Sequence, residues 1–122
     1  MYKLYAIRIF TTRWDDALRF YRDVIGLPLT FSNADMGWAQ FDVGGCFIGL
    51  ERAITDEEEA EDLVGRFVGA SLMVDDITAT YDALTRKGVE FLEPPERQPW
   101  GGVLAHFKDP DGNVLTLLEN PG

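Results

Sequence analysis

Cysteine and histidine are nearly absent from this 122-residue chain: Cys46 and His106 are the one copy of each. A lone cysteine excludes an intrachain disulfide and a zinc site built on paired cysteines, and it points to a reducing, cytoplasmic setting. Cations are scarce as well. Eleven Lys and Arg stand against twenty-one Asp and Glu, giving a formal charge of −10 and a pI near 4.4. Nucleic acid and anionic lipid both demand a clustered cationic surface, so neither is expected as a partner. No apolar run approaches the ~18–20 residues of a membrane span. The first ten residues have no apolar stretch followed by a small-residue cleavage site, so they read as a strand rather than a signal peptide. There is no P-loop, no dinucleotide fingerprint and no Gly-x-Ser-x-Gly elbow. What remains is a globular composition, 46% hydrophobic and 26% charged, open to neutral or cationic small molecules and to basic proteins.

The patterning is α+β. Tyr2 to Phe10 alternates and predicts a first strand. Thr12 is the expected N-cap of a helix whose apolar face is Trp14, Ala17, Leu18, Tyr21, Val24 and Ile25, stopped at Gly26. Strands are expected over about 29–32, 36–43 and 46–51, with turns at Asn33-Ala34-Asp35 and Gly44-Gly45. Residues 55–62 hold six acids in eight positions and predict a solvated connector, a short helix if Thr55 caps it, or a docking segment for a basic partner. The pattern then repeats: a strand from Phe67 to Val74, a helix from Asp76 to Lys87 stopped by Gly88, and strands near 89–93, 102–108 and 113–119. Trp38-Ala39-Gln40-Phe41 matches Leu104-Ala105-His106-Phe107, and Cys46-Phe47-Ile48-Gly49-Leu50 matches Asn113-Val114-Leu115-Thr116-Leu117. Two tandem βαβββ modules are predicted, about 1–54 and 66–122, joined by the connector at 55–65 into one domain. Asp15-Asp16 and Asp75-Asp76 are explained by helix entry rather than by acid–base chemistry.

Four segments in this order resemble the vicinal oxygen chelate superfamily, which includes glyoxalase I, extradiol dioxygenases and the bleomycin-resistance proteins. They are Ala17 to Leu27, Val74-Asp75-Asp76, Lys87 to Phe91, and Pro99-Trp100-Gly101-Gly102 continuing to Phe107-Lys108-Asp109-Pro110-Asp111-Gly112-Asn113. The resemblance implies curled sheets around a cleft, usually in a homodimer, and in the enzymes a divalent metal held by the first and last strands of both modules. Carried over by register, those positions are Ala6, Gly49, Gly69 and Thr116, none of which is a good metal ligand. Register shifts of two residues add only Glu51. The expectation is therefore no metal and no other cofactor, closest in character to the bleomycin-resistance proteins, with a small, partly apolar molecule such as an antibiotic as partner.

Strand alternation predicts which residues face the cleft. Arg8 is there to pair with an anionic group of a ligand or with Glu51. Trp38 and Phe47 offer flat surfaces for stacking, with Gln40 between them and Ser71 and Thr116 on the second module. Trp100 sits on a glycine-flanked loop as a ligand or dimer contact. His106 and Glu51 are the candidate general bases, should the chain be a lyase or isomerase acting on a small carbonyl compound with Arg8 as oxyanion partner. Cys46 with His106 makes a nucleophile and base only if the fold brings them together. A plain interaction module, working through its helix faces and acidic connector, is the third reading.

Overall fold

The computed structural model describes residues 1–53 and 57–121, with the backbone alone for 57–59. It divides into two compact units, Met1–Gly65 and Arg66–Gly122. In the first, β1 (Ala6–Thr11) leads into α1 (Trp14–Arg19), which continues as a π-helical turn over Phe20–Val24. Strands β2 (Leu29–Asn33), β3 (Trp38–Val43) and β4 (Cys46–Arg52) follow, then α2 (Glu57–Leu63). The sheet order is β1-β4-β3-β2, with β1 parallel to β4 and the other pairs antiparallel. The second unit runs β5 (Phe67–Met73), α3 (Ile77–Arg86), β6 (Glu90–Phe91), β7 (Glu96–Arg97), β8 (Val103–Lys108) and β9 (Val114–Glu119). Its order is β5-β9-β8-β6, and β7 also pairs with β8. This is the α+β class expected. The connector's Thr55 lies outside the described residues.

Each sheet buries one face under its helix. Ile9, Ala39, Phe41, Ile48 and Leu50 meet Trp14, Ala17 and Tyr21, and the Tyr21 and Phe41 rings lie 6.2 Å apart. In the second unit Ile77 and Leu84 of α3 join Ala105, Phe107, Leu115 and Leu117, with Phe91 bridging Tyr81 and Phe107 at 4.6 and 5.9 Å. Complete burial of a large apolar side chain stabilises by about 1.5–3 kcal/mol, so these positions hold helix to sheet.

Several local expectations are corrected. The first strand begins at Ala6, not Tyr2, because its parallel partner offers Phe47 opposite Ala6 and no ladder before it. Thr12 does not cap α1. The helix starts after Arg13 with no side-chain cap, and it is Thr11 Oγ1 that accepts the Arg13 N–H at 2.9 Å. Met36 and Gly37 belong to the turn before β3 rather than to the strand, with Gly37 at φ +69°. The expected strand near 89–93 is only the two residues of β6, and a further short strand, β7, which was not expected, follows at Glu96–Arg97. Pro94 and Pro95, which lack N–H donors, interrupt the edge between β6 and β7. Asp76 does cap α3, accepting the Ala79 N–H at 3.0 Å, while Glu119 accepts the Ile77 N–H at 2.9 Å.

The Asp109–Asn113 turn is built around two buried polar side chains. Asp109 accepts from the backbone N–H groups of Asp111 and Asn113 and from Asn113 Nδ2, each at 2.9 Å. Asn113 Oδ1 in turn accepts the Arg66 N–H at 3.2 Å, tying the turn to the start of β5. Asn113→Ala removes a donor from a buried carboxylate and an acceptor from a backbone amide. A loss of about 2–4 kcal/mol is expected, read as a lower urea midpoint; an unchanged midpoint would refute this role.

Candidate functional site

The face of each sheet away from its helix is open, and alternation decides its residues. In the first unit the register sets three rows across β1, β4 and β3: Ala6–Phe47–Asp42, Arg8–Gly49–Gln40 and Phe10–Glu51–Trp38. Asp42 is spent on the neighbouring turn, where Oδ1 accepts the Gly45 N–H at 3.4 Å. Arg8 Nε lies 3.6 Å from Glu51 Oε1, and its guanidinium sits 5.1 Å above the Phe10 ring. The Arg8–Glu51 ion pair anticipated from sequence is therefore formed, which engages both the candidate base and its candidate oxyanion partner.

Gly49 explains the shape of this face. The indole of Trp38 leans along its strand and covers Gly49 so closely that a Cβ there would fall inside the ring. Trp38 Nε1 donates to Gln40 Oε1 at 3.2 Å, and the Tyr5 hydroxyl donates to the same oxygen at 2.9 Å. The Tyr5 ring packs 5.4 Å from Phe47. Tyr5 was missed in the sequence because its place in an alternating run assigns it to the opposite face. It lies one residue before β1, where the pleat no longer constrains it.

In the second unit the matching row is Ser71–Thr116–His106, next to Met73–Leu118–Leu104. His106 Nδ1 is 2.8 Å from the hydroxyl of buried Thr116, and its ring meets Phe67 edge-on at 5.6 Å. His106 also lines a cleft of about 250 Å³ with Leu92, Glu93, Pro94, Glu96, Gln98, Leu104 and Ala105. Leu104 and His106 were expected on this face from strand alternation; the residues within 92–98 were not. Ser71 is exposed, as are Phe67 (63%) and Met73 (67%) beside it on β5. Trp100 is 55% exposed and lies flat against Gly102, whose missing Cβ makes room for the ring. Cys46 belongs to the first unit, its sulfur 3.9 Å from the Tyr5 carbonyl, and His106 makes its contacts in the second. Among the described residues the resolved shifts in acidity belong to one pair away from these faces: two 2.8 Å bonds between the Arg22 guanidinium and the Asp23 carboxylate hold the carboxyl below the usual range and push the guanidinium up.

The four strand positions that the resemblance assigns to a metal do not fit one. Ala6, Gly49 and Gly69 bring no donor atom, the indole occupies the space above Gly49, and the Thr116 hydroxyl is engaged by His106. Among the described residues no group of three or more His, Cys, Asp or Glu is arranged to hold a metal ion. None of their helices is long and apolar enough to cross a membrane.

Comparison with known proteins places this geometry. Over 96% of its length the chain is 35% identical to the uncharacterised protein YraH of Bacillus subtilis (strain 168), covering 98% of that protein. A crystal structure of a superfamily member from Sphaerobacter thermophilus DSM 20745 superposes with a TM-score of 0.81 at 30% identity, covering 98% of each chain. TnmS3, an antibiotic binding protein from Streptomyces sp. CB03234, superposes with a TM-score of 0.78 at 26% identity, covering all of this chain and 98% of that one. The family model described as Glyoxalase/Bleomycin resistance protein/Dioxygenase superfamily matches residues 3–117. Fold, internal repeat and this match agree: the chain belongs to the glyoxalase/bleomycin resistance protein/dioxygenase superfamily.

Proposed function

We propose that this protein binds a small, partly apolar molecule without a metal and sequesters it unchanged, an antibiotic being the ligand class favoured. The observation that carries the reading is the Trp38 indole spread over Gly49, at a register position where the enzymes of this superfamily would need a metal ligand. A glycine there removes the ligating side chain, and the ring that takes its place offers a flat apolar surface flanked by Phe47, Arg8 and Gln40. The likeness to TnmS3 supports the ligand class. The cleft beside His106, with Glu93 and Glu96 on its wall, is a separate candidate surface belonging to the second unit. The protein would work as one domain, in a cytoplasmic homodimer, with exposed Trp100 as a ligand or dimer contact.

Titration of a panel of flat aromatic antibiotics against intrinsic fluorescence is the direct test. Quenching is expected in the wild type and is expected to weaken about tenfold or more in Trp38→Leu, since truncating a stacked aromatic anchor removes about 1.5 kcal/mol or more. Quenching that persists in that variant at wild-type affinity would remove Trp38 from the site. Turnover of the bound molecule, abolished by His106→Gln, would overturn sequestration in favour of catalysis.

Gly49→Ala inserts a methyl group into the indole. It is expected to lower stability by about 1–3 kcal/mol and to weaken ligand binding by displacing Trp38, both measurable by urea denaturation and by the same titration. Metal analysis of protein purified without chelator is expected to give well under one divalent ion per chain; a stoichiometric ion would refute the metal-free reading.

A further inference from the structure

The amide of Gln40 is held in one orientation, and that orientation gives the open face of the first sheet a defined polarity. Amide orientation is normally a matter of inference from the hydrogen-bond network. Here one partner decides it. The Trp38 indole N–H is a donor and nothing else, so the Gln40 atom 3.2 Å from it must be the oxygen. The Tyr5 hydroxyl donates to that same oxygen at 2.9 Å, occupying its second lone pair. The backbone beneath is fixed as well, with Gln40 opposite Gly49 on β4 and its carbonyl accepting from Thr30 Oγ1 at 3.1 Å.

Both acceptor sites of the amide are therefore filled from within, while Gln40 Nε2 has no partner among the described residues and is not sealed from solvent. Its two N–H groups stand beside the indole that roofs Gly49. At the other end of the same row stands Arg8, also donor-only. A molecule lying on Trp38 meets the Gln40 donors at one end of the row; at the other end the Arg8 Nε already faces Glu51 at 3.6 Å, so Gln40 supplies the unengaged donors.

We propose that Gln40 is a specificity-determining residue whose locked amide selects a flat ligand bearing a hydrogen-bond acceptor, a carbonyl-type oxygen at the edge of its ring system, over ligands that present a donor or cation there. This rests on the reading of the open face as a binding surface. It runs against the expectation from net charge, which favours cations in general. A net hydrogen bond of about 0.5–1.5 kcal/mol corresponds to about two- to tenfold in affinity.

The test uses three probes of one shape: methyl naphthyl ketone, ethylnaphthalene and the naphthylmethylammonium ion, each titrated against the fluorescence of the full chain. The wild type is expected to bind the ketone about two- to tenfold more tightly than the hydrocarbon. Gln40→Glu keeps an oxygen for the Trp38 and Tyr5 donors but turns the outward group into an acceptor. It is expected to lose the ketone preference, keep the hydrocarbon affinity and gain affinity for the ammonium probe. Gln40→Met removes the outward donors without adding charge and is expected to lose the ketone preference alone. Near-ultraviolet circular dichroism reports whether the Trp38 environment survives in each variant. A ketone-to-hydrocarbon ratio unchanged in both folded variants, or absent in the wild type, overturns this proposal and leaves the binding reading intact. Failure of all three probes to bind overturns both.

Discussion

In each unit the first strand pairs in parallel with the last, and most of the molecule's chemistry follows from that pairing. Parallel neighbours cannot be joined by a tight turn, so the chain must cross over, and a helix makes the crossing in both units. That helix covers one face of the sheet. Every strand residue is then assigned either to a core sealed by Phe41 or Phe107, or to a face left open. Because side chains alternate with a period of two, the same register that buries Ile48 and Leu50 leaves Phe47, Gly49 and Glu51 facing out. The open face, the candidate functional surface, is thus a by-product of how the core is built.

The two open faces share a scaffold and differ in how the middle of the row is filled. Gly49 and Thr116 occupy equivalent places, opposite Gln40 and His106. In the first unit the absence of a side chain admits an indole, and the polar residue beside it is locked through its oxygen. In the second unit a hydroxyl fills the same place and engages the imidazole through Nδ1, which turns Nε2 away from that bond. One face becomes flat and aromatic; the other is grooved, with His106 and two glutamates set among apolar side chains. A duplicated module can diverge in this way without disturbing its core, because the substitutions sit on the face that the helix does not touch.

This explains what was legible in the sequence. The fold class and the repeat followed from alternation and helical spacing, while the residues assigned to the open faces also needed the strand register implied by the family resemblance, and Tyr5 and the cleft residues within 92–98 escaped both. Even the Arg8–Glu51 pair could be anticipated, since the two positions are diagonal neighbours across one pairing of strands. Features outside simple periodicity were not legible. The π-helical turn at Phe20–Val24 breaks the 3.6-residue repeat that helix reading assumes. The start of β1 depends on where its parallel partner β4 begins, a non-local fact. The lean of Trp38 over Gly49 and the approach of Tyr5 to Gln40 depend on side-chain rotamers, to which a pattern of apolar and polar letters is blind. The cleft beside His106 arises from the path of the chain between β6 and β8, where the Pro-Pro pair signals an interruption but not its shape.

The charge of −10 loses its force as a guide to ligands for the same reason. Acidity summed over a chain says little about the field at one spot, because ions in water are screened within about 8–10 Å. Six of the twenty-one acids lie in the run at 55–62, and others have particular tasks. Asp76 and Glu119 take up backbone N–H groups at the start of α3, Asp109 organises a turn, Asp16 faces Arg13 and Arg19, and Glu51 faces Arg8. On the row through Gly49, Arg8 is matched by Glu51 and the Gln40 amide nitrogen is left without a partner among the described residues, so in the proposed reading this spot is suited to an acceptor. In that reading, local hydrogen-bond direction fixed by a single indole N–H outweighs a net charge carried elsewhere in the molecule.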